Sequence, residues 1–116
     1  MNLYHCFIEL KPDAKVLSFC QALEKWMDHL QAADVIGSWR LMRRKLSLAS
    51  DCHGDLMLEI EFADLAHLDQ AFRHVGTHSA DVTELYEPVH SMIADLKSGI
   101  YRPFPDPDRA ERVALI

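Results

Sequence analysis

The sequence predicts an α+β fold, a four-stranded antiparallel sheet with helices on one face, built in the order βαββαβ. Three observations predict it. Residues 55–64 alternate, with Leu56, Leu58, Ile60 and Phe62 interleaved by Met57, Glu59 and Glu61. Successive side chains of a strand point to opposite faces, so this stretch has one apolar and one acidic face. Val16, Phe19, Cys20, Leu23, Met27 and Leu30 recur at helical spacing and form one apolar stripe. Stretches of the two kinds follow one another as strand, helix, strand, strand, helix, strand, a split βαβ arrangement.

The bulk composition bounds the function. A chain of 116 residues is read as one domain, long enough to bury roughly two thirds of its unfolded surface. Hydrophobic content of 49% and charged content of 26% are those of a globular protein. The net charge of −6 argues against nucleic acid as a partner, because that binding neutralises phosphates with Lys and Arg. No segment approaches the roughly 18 apolar residues of a membrane span. The first ten residues lack the basic start and apolar core of a signal peptide, which points to the cytoplasm. Cys6, Cys20 and Cys52 are odd in number and contain no Cys-x-x-Cys, so neither a disulfide framework nor a zinc knuckle is expected.

The first strand covers residues 3–10. Cys6, Ile8 and Leu10 are assigned to the helix-covered face, leaving His5, Phe7 and Glu9 on the other. Lys11-Pro12-Asp13 ends the strand, and Asp13 is expected to cap the first helix. That helix carries the Val16 to Leu30 stripe and ends near Ala33-Asp34. A second strand is expected over residues 35–48, with Trp39 and Leu41 toward the helices and Arg40, Met42 and Arg44 away from them. Residues 50–54 form a hairpin loop of turn-forming residues. The third strand is the alternating stretch. Asp64 caps the next helix, whose stripe is Leu65, Leu68, Phe72 and Val75. Gly76-Thr77 interrupts it. A further helix begins near Ser79 and buries Val82, Leu85, Tyr86, Val89, Met92 and Ile93, with a kink or early break at Pro88. The last strand covers residues 97–102. Residues 1–102 thus make a single domain, and the Pro-rich residues 103–116 form a tail, extended or packed on a partner subunit.

This order is the ferredoxin-like plan, with spatial strand order 4-1-3-2 and both helical crossovers on one face. The other face is left open. It carries His5, Phe7 and Glu9, then Met57, Glu59 and Glu61, then Arg40, Met42 and Arg44. A face that mixes charge with Phe and Met calls for a cover. A second copy across a two-fold axis supplies one and encloses a cavity, so a homodimer is expected.

The segment His74-Val75-Gly76-Thr77-His78, followed by Leu85-Tyr86-Glu87-Pro88-Val89, resembles the stress-responsive members of the dimeric α/β-barrel superfamily. Those members show a His-Pro-x-His stretch at a helix break, then an apolar helix with a proline. Gly76 stands where their proline would be. The resemblance covers about residues 3–102 and extends to small antibiotic-biosynthesis-type monooxygenases. It implies the fold, the dimer and a pocket for a small planar molecule, for which Trp39, Tyr86 and Tyr101 are the aromatic candidates. Haem-degrading members use an Asn, Trp and His triad. Asn2 is expected ahead of the first strand and the second helix has no Trp, so that activity is not implied.

The chemistry-bearing residues leave alternatives open. His5, Glu9 and His78 are the candidates for proton transfer, His5 first because its ordinary pKa lies near neutrality. Phe7, Arg40, Met42, Arg44, Met57, Glu59 and Glu61 are the candidates for contact with a ligand in the cavity over the open face. Glu59 and Glu61 serve either as a poised acid and base or as partners of Arg40 and Arg44 in a cross-strand ladder. His74 and His78 have the spacing of a helical metal pair, but Gly76 lies between them, so no metal is expected, and no cofactor. Cys52-His53 lacks a third, orienting group and reads as a turn. Three functions follow: ligand binding in the cavity, a cofactor-independent monooxygenase or isomerase there, or a structural or regulatory dimer without ligand.

Overall fold

The computed structural model describes residues 1–46, 48, 53–77 and 79–106. Its elements are β1 (Asn2–Leu10), α1 (Val16–Ala32), β2 (Trp39–Arg43), β3 (Leu56–Phe62), α2 (Leu65–Gly76), α3 (Ala80–His90) and β4 (Ile93–Tyr101). The four strands form one sheet in the order β2-β3-β1-β4, which is the expected order read from the other edge. All three pairings are antiparallel.

Parity along the strands builds the core. Cys6, Ile8 and Leu10 of β1 and Leu56, Leu58, Ile60 and Phe62 of β3 are buried under the helices. Phe19, Leu23, Trp26, Met27 and Leu30 of α1 fill the space above them, and Phe19 is fully enclosed. Burial of an aliphatic or aromatic side chain of this size stabilises by about 1.5–3 kcal/mol, and this cluster is the main source of stability.

Helix α1 does not start at Asp13. Lys15 is its N-cap residue, and no side chain accepts from the first turn. The preceding turn is closed instead by backbone, the Ala14 amide donating to the Lys11 carbonyl at 2.9 Å. The helix ends in a Schellman motif: Val35 N–H donates to Leu30 O at 3.2 Å and Asp34 N–H to Gln31 O at 3.0 Å. Asp34 takes the left-handed conformation this requires, φ 57°, which Asp tolerates better than most residues.

Strand β2 is shorter than expected, with five residues. Ahead of it, Gly37 N–H donates to Glu61 O and Glu61 N–H to Ser38 O, both at 2.8 Å, so the pairing continues as bridging hydrogen bonds. Gly37 is required there because a Cβ would lie 2.8 Å from the Glu61 carbonyl oxygen. The expected helical break is present, α2 ending at Gly76 and α3 starting at Ala80. Asp64 caps α2 through its side chain, as expected, and Ser79 caps α3. α3 stops two residues after Pro88, so Met92 and Ile93 leave the helix and β4 begins at Ile93, four residues earlier than expected. Leu65 and Phe72 also depart from the expected buried stripe, being 53% and 56% exposed. α2 buries only Leu68 and Ala71.

Candidate functional site

Two regions of the fold carry groups able to meet a ligand. The first is an apolar crevice of about 290 Å³ between the sheet and the helices. It exists because the helices cover β1 and β3 better than β4. Leu96 and Ile100, on the helix side of β4, remain 43% and 46% exposed. Tyr4, Cys6, Trp26, Phe72, Tyr86 and His90 are among its walls. Tyr4 and Phe72 meet edge to face with ring centres 6.1 Å apart. Trp26 meets Tyr86 edge on at 5.7 Å, and Tyr86 stacks on His90 at 5.1 Å. The Tyr86 hydroxyl lies 3.3 Å from His90 Nδ1. Burial raises the pKa of Tyr4, and burial pushes the Cys6 thiol up to about 11. Both are therefore neutral hydrogen-bonding groups near pH 7. The crevice can hold an aromatic or aliphatic body and offer it phenol, thiol and imidazole contacts, with no Asp, Glu, Lys or Arg on its walls.

The second region is the open face of the sheet. Strand register lays its side chains in rows. One row runs Arg40, Glu59, His5, Gly99 and the next runs Met42, Met57, Phe7, Lys97. This is the expected facing of β2. Trp39 and Leu41 pair with Ile60 and Leu58 and pack on the core side. Glu59 is the centre of the polar row. It is 7% exposed although no helix covers it. Arg40 Nε–H donates to Glu59 Oε2, and that hydrogen bond and charge raise the pKa of the guanidinium. His5 Nδ1 lies 3.8 Å from Glu59 Oε1, and the His5 ring meets Tyr101 edge to face at 5.1 Å. A cleft of about 360 Å³ beside this row is lined by Leu3, Trp39, Arg40, Glu59 and Glu61, among others.

The site residues expected from sequence thus separate. The structure brings His5, Arg40 and Glu59 together, and Phe7, Met42 and Met57 beside them. Glu61 lies one row away opposite Leu3 and is exposed. Glu9 lies at the far end of β1 opposite Asp95, also exposed, and so is not part of the His5 group. Arg44 lies beyond the end of β2 and clamps the hairpin: its Nη1 donates to His53 O at 3.0 Å, and its Nη2 is 3.6 Å from Asp55 Oδ1. Asp55 in turn accepts from Leu10 N at 3.0 Å. His78 and Cys52 lie outside the described residues. Of the aromatic candidates, Tyr86 lines the crevice, Trp39 packs on the core, and Tyr101 stands beside His5. The crevice residues Tyr4, Phe72 and His90 were not read from sequence as ligand contacts, Phe72 being assigned to the buried stripe of the second helix. Tyr4 shares the parity of Cys6 and Ile8 and reads as core, and only the gap over β4 makes that core concave.

Asn2 also departs from expectation. It is the first residue of β1 and 1% exposed, and neither atom of its amide has a hydrogen-bond partner among the described residues. No helix of the described residues is long and apolar enough to cross a membrane.

Solved structures similar to this chain carry the same fold. A dabb family protein with a ferredoxin-like fold from Mesorhizobium loti superposes with a TM-score of 0.64 at 17% identity, over 89% of this chain and 96% of that one. An antibiotic biosynthesis monooxygenase superposes with a TM-score of 0.62 at 14% identity, over 90% of this chain and 100% of that one. A dimeric protein of unknown function and ferredoxin-like fold from Bacteroides fragilis superposes with a TM-score of 0.57 at 12% identity, over 86% and 93%. These likenesses establish the ferredoxin-like fold and agree with the superfamily that the sequence resembles. No curated protein matches the sequence. The match to one family spans residues 1–116, and the chain belongs to the Family of unknown function (DUF6614).

Proposed function

We propose that this chain is the protomer of a homodimeric α/β barrel that binds a small, planar, largely apolar molecule. The observation that carries the ligand reading is the crevice between sheet and helices. It is the most apolar concavity of the described fold, and its few polar groups (the Tyr4 and Tyr86 hydroxyls and the His90 imidazole) converge on it. Its volume of about 290 Å³ suits a body of about one or two fused rings. The similar antibiotic biosynthesis monooxygenase supports a small-molecule reading for this fold.

The dimer reading rests on the open face. Met42 is 43% exposed there, beside half-buried Leu3, Phe7 and Met57. Arg40, Glu61, Glu9, Asp95 and Lys97 surround them with both signs of charge, so the face is complementary to a second copy of itself. The dimeric neighbour from Bacteroides fragilis supports this reading.

A second reading places the ligand over the open face, where the cleft beside Arg40, Glu59 and Glu61 opens. There His5, 3.8 Å from Glu59, is the candidate general base, and the chain would be a cofactor-independent monooxygenase or isomerase. Glu9 and His78 are the further proton-transfer candidates of that reading, and Phe7, Met42, Met57 and Arg44 its further contacts.

Binding of 2-naphthol, followed by NMR, separates the two. The crevice reading expects shifts at Tyr4, Trp26, Phe72 and Tyr86. It expects Phe72→Ala to weaken binding about three- to tenfold, the value of one aromatic contact. Ala71→Leu, which fills the crevice, should abolish binding. Shifts confined to Phe7, Met42 and Met57 would transfer the site to the open face.

A further inference from the structure

We propose that Asn2, with Arg102 beside it, forms a polar end to the crevice and selects a neutral ligand with a lactam or carboxamide edge. The proposal rests on the crevice reading above and names the chemical class of its ligand. Asn2 is the first residue of β1 and is 1% exposed. It pairs with Phe62 of β3 and shares the helix side of β1 with Tyr4. Phe62 and Tyr4 are both walls of the crevice. A rise of about 3.3 Å per residue puts Asn2 about 7 Å beyond Tyr4 on that face. A two-ring body seated on Tyr4 therefore brings its edge to the Asn2 amide.

Both polar atoms of that amide, Nδ2 and Oδ1, are buried without a hydrogen-bond partner, and Arg102 Nε is a third orphan. Strands β1 and β4 pair Leu3 with Tyr101, which carries Arg102 to the position opposite Asn2. The described residues hold three such side-chain atoms, and all three stand at this one end of the sheet. A buried amide gives up its hydrogen bonds to water, and folded chains nearly always replace them. Orphans gathered in one place mark where a partner belongs.

The chemistry of the orphans defines that partner. Asn2 Nδ2–H and Arg102 Nε–H donate, and Asn2 Oδ1 accepts. A lactam answers all of them. Its carbonyl oxygen has a lone pair for each donor, and its N–H donates to Oδ1. A primary carboxamide offers the same edge. A carboxylate does not, because it leaves Oδ1 without a donor. Its charge would also go unmatched, since the Arg102 guanidinium is already paired, Nη2 lying 2.9 Å from Asp106 Oδ2. Asp106 is buried, so that pairing is sheltered from water. The remaining walls are mostly aliphatic and aromatic, so the ligand class is a flat bicyclic lactam.

The test compares two flat bicyclic probes on the full chain: 2-quinolone, which carries the lactam edge, and 2-naphthol, whose one oxygen cannot span both atoms of the amide. 2-Quinolone should bind about tenfold or more tighter, because the other probe leaves buried polar atoms unpaired. N-methyl-2-quinolone, which lacks the N–H, should lose that advantage. In wild-type NMR spectra the Asn2 side-chain amide and the Arg102 Nε–H should shift with 2-quinolone. Asn2→Leu should bring the ratio of the two affinities to about one. The wild-type spectra need no variant, so a misfolded variant leaves the test intact. Binding of 2-naphthol with no preference for 2-quinolone would overturn the proposal and leave the crevice reading standing. So would 2-quinolone that binds without moving the Asn2 and Arg102 resonances. Failure of both probes to bind would remove the crevice reading and this proposal with it.

Discussion

Glu59 is nearly inaccessible on a sheet face that no helix covers, because its neighbours in the row shelter it. Arg40 occupies the next strand on one side and His5 the next on the other. The sequence supplies the types of these residues, and the alternation of β3 supplies their facing, but their meeting depends on register between strands distant in the chain. Gly54 shows the same limit. The sequence reads it as a turn glycine, yet its φ is not positive. It is needed because a Cβ would lie 2.6 Å from the Ile8 carbonyl oxygen. Cys6 carries a prediction at this scale. Burial lifts its pKa from the ordinary 9.0 to about 11. The unfolded thiol ionises first, so its folded form loses relative stability as pH rises from 9 toward about 11, and no such loss occurs below 9. In denaturant titrations across this range, the stability difference between wild type and Cys6→Ala should fall steadily. A difference that stays constant through the window would show that Cys6 is not shielded.

At the scale of elements, periodicity located every helix and strand, and termini were its weak point. Both cap signals looked alike in sequence, yet only Asp64 is used: its carboxylate accepts from His67 N at 2.8 Å. Asp13 is two residues ahead of the Lys15 N-cap and caps nothing in α1. Asp64→Ala is therefore expected to cost about 1 kcal/mol, while Asp13→Ala stays within about 0.5 kcal/mol. Chemical denaturation of the two variants checks this, and equal losses would refute the assignment of the caps. Pro88 was expected to kink or break α3, but it stands inside the helix, which continues to His90. A proline cannot donate to the carbonyl one turn back, and the chain turns into β4 within the next turn. The start of β4 was missed because Met92 and Ile93 continue the helical spacing of Val82 and Val89. Pairing of Leu10 with Ile93 decides for the strand.

At the scale of the molecule, the open face is the feature that a single protomer leaves unfinished. The dimer reading expects a sedimenting mass of twice 13.3 kDa at micromolar concentration. Met42→Glu places a charge on its exposed apolar row and should return the mass to 13.3 kDa without unfolding the protomer, since Met42 is outside the core. A wild-type mass of 13.3 kDa would remove the dimer from the proposed function and leave the crevice untouched. The crevice lies on the opposite side of the sheet, so ligand and dimer are separable by experiment.

Strand parity, helical spacing and element order determined the fold class, the strand order and the division of each strand into core and open residues. They did so because each is a local or topological constraint readable along the chain. The candidate sites are of another kind. The His5–Glu59–Arg40 row needed registers that local pattern leaves free by two residues at a time. The crevice needed the incomplete cover of β4 by α2 and α3. Those are decided only when the elements pack, because side chains far apart in sequence then share one volume.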